Sequence, residues 1–550
     1  MASFLKKRVF GNLFWGELLL LSLGAIVAGV WAYGQAEFNG NEFDTLLYLN
    51  VGMFPRAAGA ILNRYAHVYL QKLFLFVFPD PISAVKGLWV FEFVATAVLV
   101  YLCAKLLNTK NKASTPILAL LLFLAQRKLY ATAGAPLIEF TLALFLCLGI
   151  FVYLLYLNSP KRSPWSLFAL GLVQLLLFKT KESGLIFTPI VLAAAYVYSD
   201  AWRQRVTGLL WAAAGFVAGW AALMLLDAWF LGDAVFSLRP DSWRELIRFN
   251  LTIVYPERSP LSWYDVMLAT ALASPILLSI LALWDDKTEH DWTRRVIWLL
   301  PILLVLFLSV TAYRAAFPQN FRYVYPSFAL FAITGAQFFG GGKNEARYIK
   351  LILLSLLIGA ALYFLVVPAM VNEALRWTEA TLLSNILPSF LMSFVLLALL
   401  IPKMFGVSRR LLVVPPLVVL ILLPALHAPV ELATARSHAE NFYAPYAIFG
   451  LRITAPKDAS IFVTEGVYRE YAMLGRDSGS VENYFEAYFD TRVGQVGYSD
   501  NIEDFLLAAY DYGFVLRSEV EASSFEDDLL LGGYSIYEDA RTDVLLLSRE

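Results

Sequence analysis

The chain has 550 residues, a net charge of −1, 59% hydrophobic residues and 16% charged ones. Soluble domains carry about 25% charged residues, so the composition excludes an ordinary soluble protein. Near-neutral charge without Lys/Arg clusters gives no footing for nucleic-acid binding.

In chain order, Lys6-Lys7-Arg8 precedes an apolar run over 13–33. The run is too long for a signal peptide and no clean cleavage site follows it, so it reads as a first membrane span. Further runs near the ~20 residues that cross a bilayer predict spans at 87–106, 115–131, 136–157, 164–178, 183–199, 206–230, 264–284, 296–313, 324–339, 348–367, 385–401 and 410–427, about thirteen in all. Ser114-Thr115-Pro116 and Ser163-Pro164 are helix starts, a hydroxyl cap followed by Pro in the first turn. Cys103 and Cys147 fall inside apolar runs and read as small buried hydrophobes, not as a disulfide or metal pair.

Basic pairs such as Lys161-Arg162, Arg294-Arg295 and Arg409-Arg410 sit in alternate short connections. This bias places the N-terminus in the cytoplasm, and an odd span count places the C-terminal segment outside. The expected protein is therefore a multi-pass plasma-membrane protein with three large outer segments, 34–86, 231–263 and the tail from 428. Residues 1–427 form the membrane unit and 428–550 a small extracytoplasmic α/β domain. In the tail, Ala459–Thr464, Gly513–Arg517, Tyr534–Glu538 and Val544–Ser548 read as strands, and Tyr468–Leu474, Val481–Asp490 and Ile502–Tyr510 as helices. A lid or docking surface is its expected role.

The first outer loop carries two helical patterns. Over 43–54, Phe43, Leu46, Leu47, Val51 and Phe54 form an apolar face, with Asp44 and Tyr48 on another. Over 56–78, Arg64, His67 and Gln71 form a polar stripe on an apolar helix. Both read as helices lying in the interface.

Ionisable residues beside membrane segments are expensive, and their positions carry information. Asp44, Glu92, Glu139, Lys179, Lys181, Glu182, Arg314 and Arg322 all fall at outer span ends and point to a polar cavity there. Each has a competing structural reading. Asp44 suits a helix N-terminus, Lys179 and Lys181 suit snorkelling to headgroups, and Arg322 suits pinning a span end. Glu139 has Arg127 and Lys128 in the same outer turn as pairing partners. For Glu92 and for a lone His67 the structural reading is the stronger. Asp227 and Glu257 read as solvated or interfacial charges.

Three stretches carry a family resemblance: Asn41-Glu42-Phe43-Asp44-Thr45-Leu46-Leu47-Tyr48, Lys179-Thr180-Lys181-Glu182-Ser183-Gly184-Leu185 with Pro189, and Asn320-Phe321-Arg322-Tyr323-Val324-Tyr325-Pro326. In their order and common depth they resemble the C-type (GT-C) glycosyltransferase superfamily, in particular its protein O-mannosyltransferase and aminoarabinose transferase branch. The family's Asp-Glu pair stands here as Asp44-Thr45, with Glu42 just upstream, and Ala66-His67-Val68-Tyr69 replaces its His-Pro-Pro.

The resemblance implies a helical GT-C fold and a sugar donor carried on a polyprenyl monophosphate. It implies transfer to an acceptor hydroxyl on a protein, lipid or glycan at the outer face, with inversion. Asp44 would be the general base, because a hydroxyl is a poor nucleophile until its proton is drawn off. Lys181 and Arg322 would neutralise the leaving phosphate. Glu139, Tyr48, Arg64, His67 and Tyr323 would contact substrate. No cofactor is implied with certainty; a divalent metal, the sugar and the acceptor stay open. A polytopic transporter or lipid flippase is the alternative, supported by Pro301 and Pro415-Pro416 interrupting spans.

Overall fold

The computed structural model describes residues within 19–34, then 64–78, 81–107, 114–124, 137–159, 161–235, 293–301, 303–304 and 325–340 of the membrane unit. In the tail it describes 460–464, 495–499, 503–508, 510–523, 526–538 and 544–549. Asp44, Tyr48, Arg314, Arg322, Tyr323 and Glu257 lie outside the described residues, as do the spans expected at 264–284, 348–367, 385–401 and 410–427.

The membrane unit is helical: α1 (Tyr65–Val77), α2 (Pro81–Leu107), α3 (Ser114–Leu124), α4 (Ile138–Asn158), α5 (Pro164–Thr180), a 3-10 turn (Glu182–Phe187), α6 (Thr188–Tyr196), α7 (Trp202–Leu231) and α8 (Tyr325–Gly340). Among the described residues three helices, within α2, α4 and α7, are long and apolar enough to cross a membrane. The 21 residues of α4 span about 31 Å, close to a hydrocarbon core of about 30 Å.

Local chemistry sets the helix ends. Pro164 opens α5, and the Trp165 N–H donates to the Ser163 hydroxyl at 3.3 Å. Gly232, at φ 69°, closes α7 in the left-handed conformation, its N–H bonded to the Ala228 carbonyl at 3.1 Å.

The helices α5 and α7 meet backbone to backbone. A Cβ on Gly171 would lie 1.8 Å from the Ala212 carbonyl oxygen, and one on Gly215 would lie 1.9 Å from that of Phe168. Lipid offers no hydrophobic drive for helices to associate, so close approach of small residues supplies the dispersion energy instead. The larger core joins α2, α3, α4 and α8 around Trp89, Phe123, Phe140, Leu146, Ile150 and Tyr325. Cys103 and Cys147 are both buried there as free thiols, as expected.

The helix α1 departs from its expected setting. Its polar residues His67 and Gln71 are fully buried, whereas Leu73, Phe76 and Val77 are exposed. A helix on a water-washed surface has the opposite polarity; one whose outer side faces lipid has this one.

The tail folds into a five-stranded sheet of β1 (Ser460–Thr464), β2 (Gln495–Ser499), β3 (Tyr512–Leu516), β4 (Tyr534–Tyr537) and β5 (Val544–Arg549), in order β2-β1-β3-β5-β4. β1 is parallel to β2 and β3; β5 runs antiparallel to β3 and β4. Short helices α9 (Glu503–Ala508), α10 (Arg517–Ser523) and α11 (Glu526–Leu531) complete it, and Phe462, Phe505, Tyr510, Val515, Leu529 and Tyr534 form its core. The α/β class and four strands agree with the sequence reading. Strand β2 and helices α10 and α11 were not expected. The five residues of β2 carry Gly497 at their centre, which weakens a strand signal, and the two helices are too short to show a period. The helices expected at 468–474 and 481–490 lie outside the described residues.

Candidate active site

The turn between α5 and the 3-10 helix organises the site. Lys181 leaves α5 in an extended conformation while its N–H still bonds the Leu177 carbonyl at 3.0 Å. The chain then folds back so tightly that a Cβ on Gly184 would lie 2.4 Å from that carbonyl oxygen. Glycine is therefore required at this point of the Lys-Thr-Lys-Glu-Ser-Gly stretch.

Antiparallel neighbours bring other charges to the turn. Glu139 is in the first turn of α4, and its carboxylate accepts from the Lys181 ammonium at 2.6 Å. The Arg64 guanidinium, at the start of α1, donates to Glu182 at 2.7 Å. Two cations and two acids from three separate stretches thus meet around residues 181–182, with Glu139 almost wholly buried and the other three partly so. Glu139 finds its partner on α5; Arg127 and Lys128, the partners its own turn suggested, lie outside the described residues.

A second chain of polar groups runs inward from there. His67 Nδ1 is 2.6 Å from the Thr141 hydroxyl, which in turn donates to Glu92. His67, Thr141 and Glu92 are all buried. Glu92 was expected near an outer span end; because α2 begins at Pro81, it stands near the middle of that helix.

Two charges contradict their sequence readings. Lys179 does not snorkel to headgroups but is buried, with its ammonium 4.7 Å from the Trp220 ring centroid and 5.3 Å from that of Tyr65. Asp227 is not a solvated charge: it is fully buried and accepts a hydrogen bond from Tyr69. The cause is the same for both. α1 covers the C-terminal ends of α5 and α7, and its tyrosines supply rings and a hydroxyl where water was expected.

The arrangement therefore brings Lys181, Glu139, Arg64 and Glu182 to one locus, with His67 one helical turn along α1. Thr141, Tyr69 and Trp220 escaped the sequence reading. A lone hydroxyl or indole in an apolar run carries no signal, whereas the i, i+4 spacing of Tyr65 and Tyr69 did mark a shared face. Among the described residues no group of three or more His, Cys, Asp or Glu side chains is placed to hold a metal ion.

The same course of helices and tail is found in a solved protein. The crystal structure of ArnT from Cupriavidus metallidurans bound to undecaprenyl phosphate superposes with a TM-score of 0.58, covering 97% of this chain and 98% of that one. This chain has the fold of ArnT. The apo state of ArnT gives a TM-score of 0.57 over the same shares of both chains, and identity is 13% and 14% in the two comparisons. Archaeal oligosaccharyltransferase AglB from Archaeoglobus fulgidus also matches, at 11% identity and a TM-score of 0.41, over 98% of this chain and 75% of that one. No family model matches the sequence, and no curated protein does. The fold that the three short motifs led one to expect is thus the fold of ArnT. An integral membrane protein with membrane-crossing helices and a small C-terminal sheet fits the ArnT architecture.

Proposed function

We propose that this protein is a membrane glycosyltransferase that moves a sugar from a polyprenyl-monophosphate donor to an acceptor hydroxyl on the outer face, with inversion at the anomeric carbon. One observation carries the reading: the Lys181 ammonium and the Arg64 guanidinium are gathered at a single turn at the end of the helices, in a chain with the fold of a protein solved with undecaprenyl phosphate.

In this reading residues 1–427 are the transferase unit, the N-terminus is cytoplasmic, and residues 428–550 lie outside over the site. The basic end of the bundle supports that orientation, with Arg294 bonded to Asn158 at 2.7 Å beside Lys161-Arg162, opposite the Lys181 turn. Lys181 and Arg322 neutralise the charge that grows on the leaving phosphate. An ammonium has three N–H donors and can bridge a carboxylate and a phosphate oxygen, so Glu139 holds Lys181 in place. Asp44 draws the proton from the acceptor hydroxyl as the oxygen attacks the anomeric carbon and the C–O bond to phosphate breaks. Glu139, Arg64 and His67, with Tyr48 and Tyr323, line the substrate. Glu42 and Asp44 of the first outer loop offer oxygen ligands that could hold a divalent metal, and no step is assigned to one.

The test is transfer itself. Purified protein in nanodiscs is given a panel of undecaprenyl-phosphate sugars, and released undecaprenyl phosphate is measured. Asp44→Asn should reduce release about 10²–10⁴-fold while leaving yield and thermal stability unchanged. Release by the parent with none of this loss in Asp44→Asn removes Asp44 as the base; no release with any sugar, together with lipid movement across vesicles, favours a flippase.

A further inference from the structure

Helix α1 is fastened to the bundle by polar contacts on two sides. Its outward residues Leu73, Phe76 and Val77 are exposed and do not hold it. On one side His67 reaches α4 and α2 through Thr141 and Glu92. On the other Tyr69 donates to Asp227 of α7. Arg64, just before the helix, reaches Glu182. The His67–Thr141–Glu92 contacts are shielded from water, which elsewhere competes for such groups, so each bond constrains geometry strongly.

The His67 chain also has a direction. As placed, the Thr141 hydroxyl donates its one proton to Glu92. The hydroxyl oxygen then accepts from His67 Nδ1, 2.6 Å away, and the ring must carry its proton there. Glu92 itself stands 4.0 Å from Nδ1, too far to do this directly.

We propose that Thr141 and Glu92 are positioning residues: their hydrogen-bond chain fixes the His67 ring as the Nδ1–H tautomer and holds α1, and with it Arg64, beside the Lys181–Glu182 turn. Both residues are buried and act through His67. Their catalytic consequence rests on the transferase reading above, but the positioning itself does not.

The test uses the full chain in nanodiscs with ¹⁵N-labelled histidine. The protein has four histidines, and loss of one signal in His67→Gln identifies the resonances of interest. The parent, Thr141→Ser and Glu92→Gln should each show Nδ1–H, because a hydroxyl or an amide oxygen preserves the chain. Thr141→Val, which keeps the shape and removes the hydroxyl, should lose that tautomer. Amide exchange across 65–77 should quicken about tenfold in Thr141→Val, the effect of one lost buried hydrogen bond, and return to the parent rate in Thr141→Ser. An Nε2–H tautomer in the parent overturns the proposal. So does a Thr141→Val protein with unaltered α1 exchange. If Thr141→Val does not fold, Tyr69→Phe combined with Thr141→Ser decides whether α1 stays docked through the His67 chain alone: parent-like exchange supports the proposal and fast exchange overturns it. Binding of undecaprenyl phosphate is measured in parallel. A parent that fails to bind it refutes the donor reading, and the tautomer and exchange results still decide this one.

Discussion

The Lys181–Glu139 pair separates a structural charge from a chemical one. At 2.6 Å and an effective dielectric near 20, the Coulomb attraction is about 6 kcal/mol. Desolvation offsets much of it, and truncating one partner of a buried pair costs about 3–5 kcal/mol because the other charge stays buried. The Lys181 side chain keeps 14% of its exposure and Glu139 2%, which favours the lower end, about 3 kcal/mol, for either Glu139→Gln or Lys181→Met. Removing both charges leaves no orphan, so the double variant should regain about 2 kcal/mol over the sum of the singles. Fluorescence-monitored unfolding in detergent reads this coupling. Transfer should behave differently. Lys181→Met should lower kcat/KM about 10²–10³-fold, and the double variant should stay as inactive because the phosphate has lost its cation. Recovery of transfer together with stability would refute the phosphate role of Lys181. Additive losses in stability would refute the ion pair.

Other consequences follow from packing and from the tail. Gly215→Ala should destabilise the protein by more than about 3 kcal/mol, the upper range for overpacking, because its Cβ meets the Phe168 carbonyl oxygen at 1.9 Å. Gly24→Ala, with nothing within 4 Å of its Cβ, is the control and should leave the unfolding midpoint unmoved. In the tail, hydrogen bonds from the Ser460 hydroxyl and N–H hold the Asp511 carboxyl below the ordinary range. A depressed acid stabilises fully above its unfolded value, near pH 4, and that contribution disappears as the pH falls through the folded value. Amide exchange of β1 and β3 should therefore quicken below about pH 4 in the parent. In Ser460→Ala that acid-dependent step should be much smaller; an unchanged step would assign the acid sensitivity to another group.

The Lys-Thr-Lys-Glu stretch falls at a turn where charges meet, whereas the surroundings of Lys179 and Asp227 differ from the sequence reading. Lys179 and Asp227 were assigned to water or headgroups because hydropathy reports the depth of a residue along its own span, and both lie near span ends. Burial at that depth comes from α1, a neighbour distant in sequence that lays Tyr65 and Tyr69 over them. The stripe of Arg64, His67 and Gln71 was visible as a period, but a period fixes which residues share a face and not which way the face turns.

The sequence by itself determined the solvent of this protein, the start of α5 at Ser163-Pro164, the α/β class of the tail, and the stretch around Lys181 on which the candidate site is built. These are local: run length, cap chemistry and alternation act within a few residues. Only the tertiary structure decided that Glu139 belongs to Lys181, that Arg64 belongs to Glu182, and that Thr141 joins His67 to Glu92. Those pairs are separated by 42 to 118 residues. They form because apolar helices pack where glycines let backbones approach, which brings polar groups from distant stretches of the chain into reach of one another.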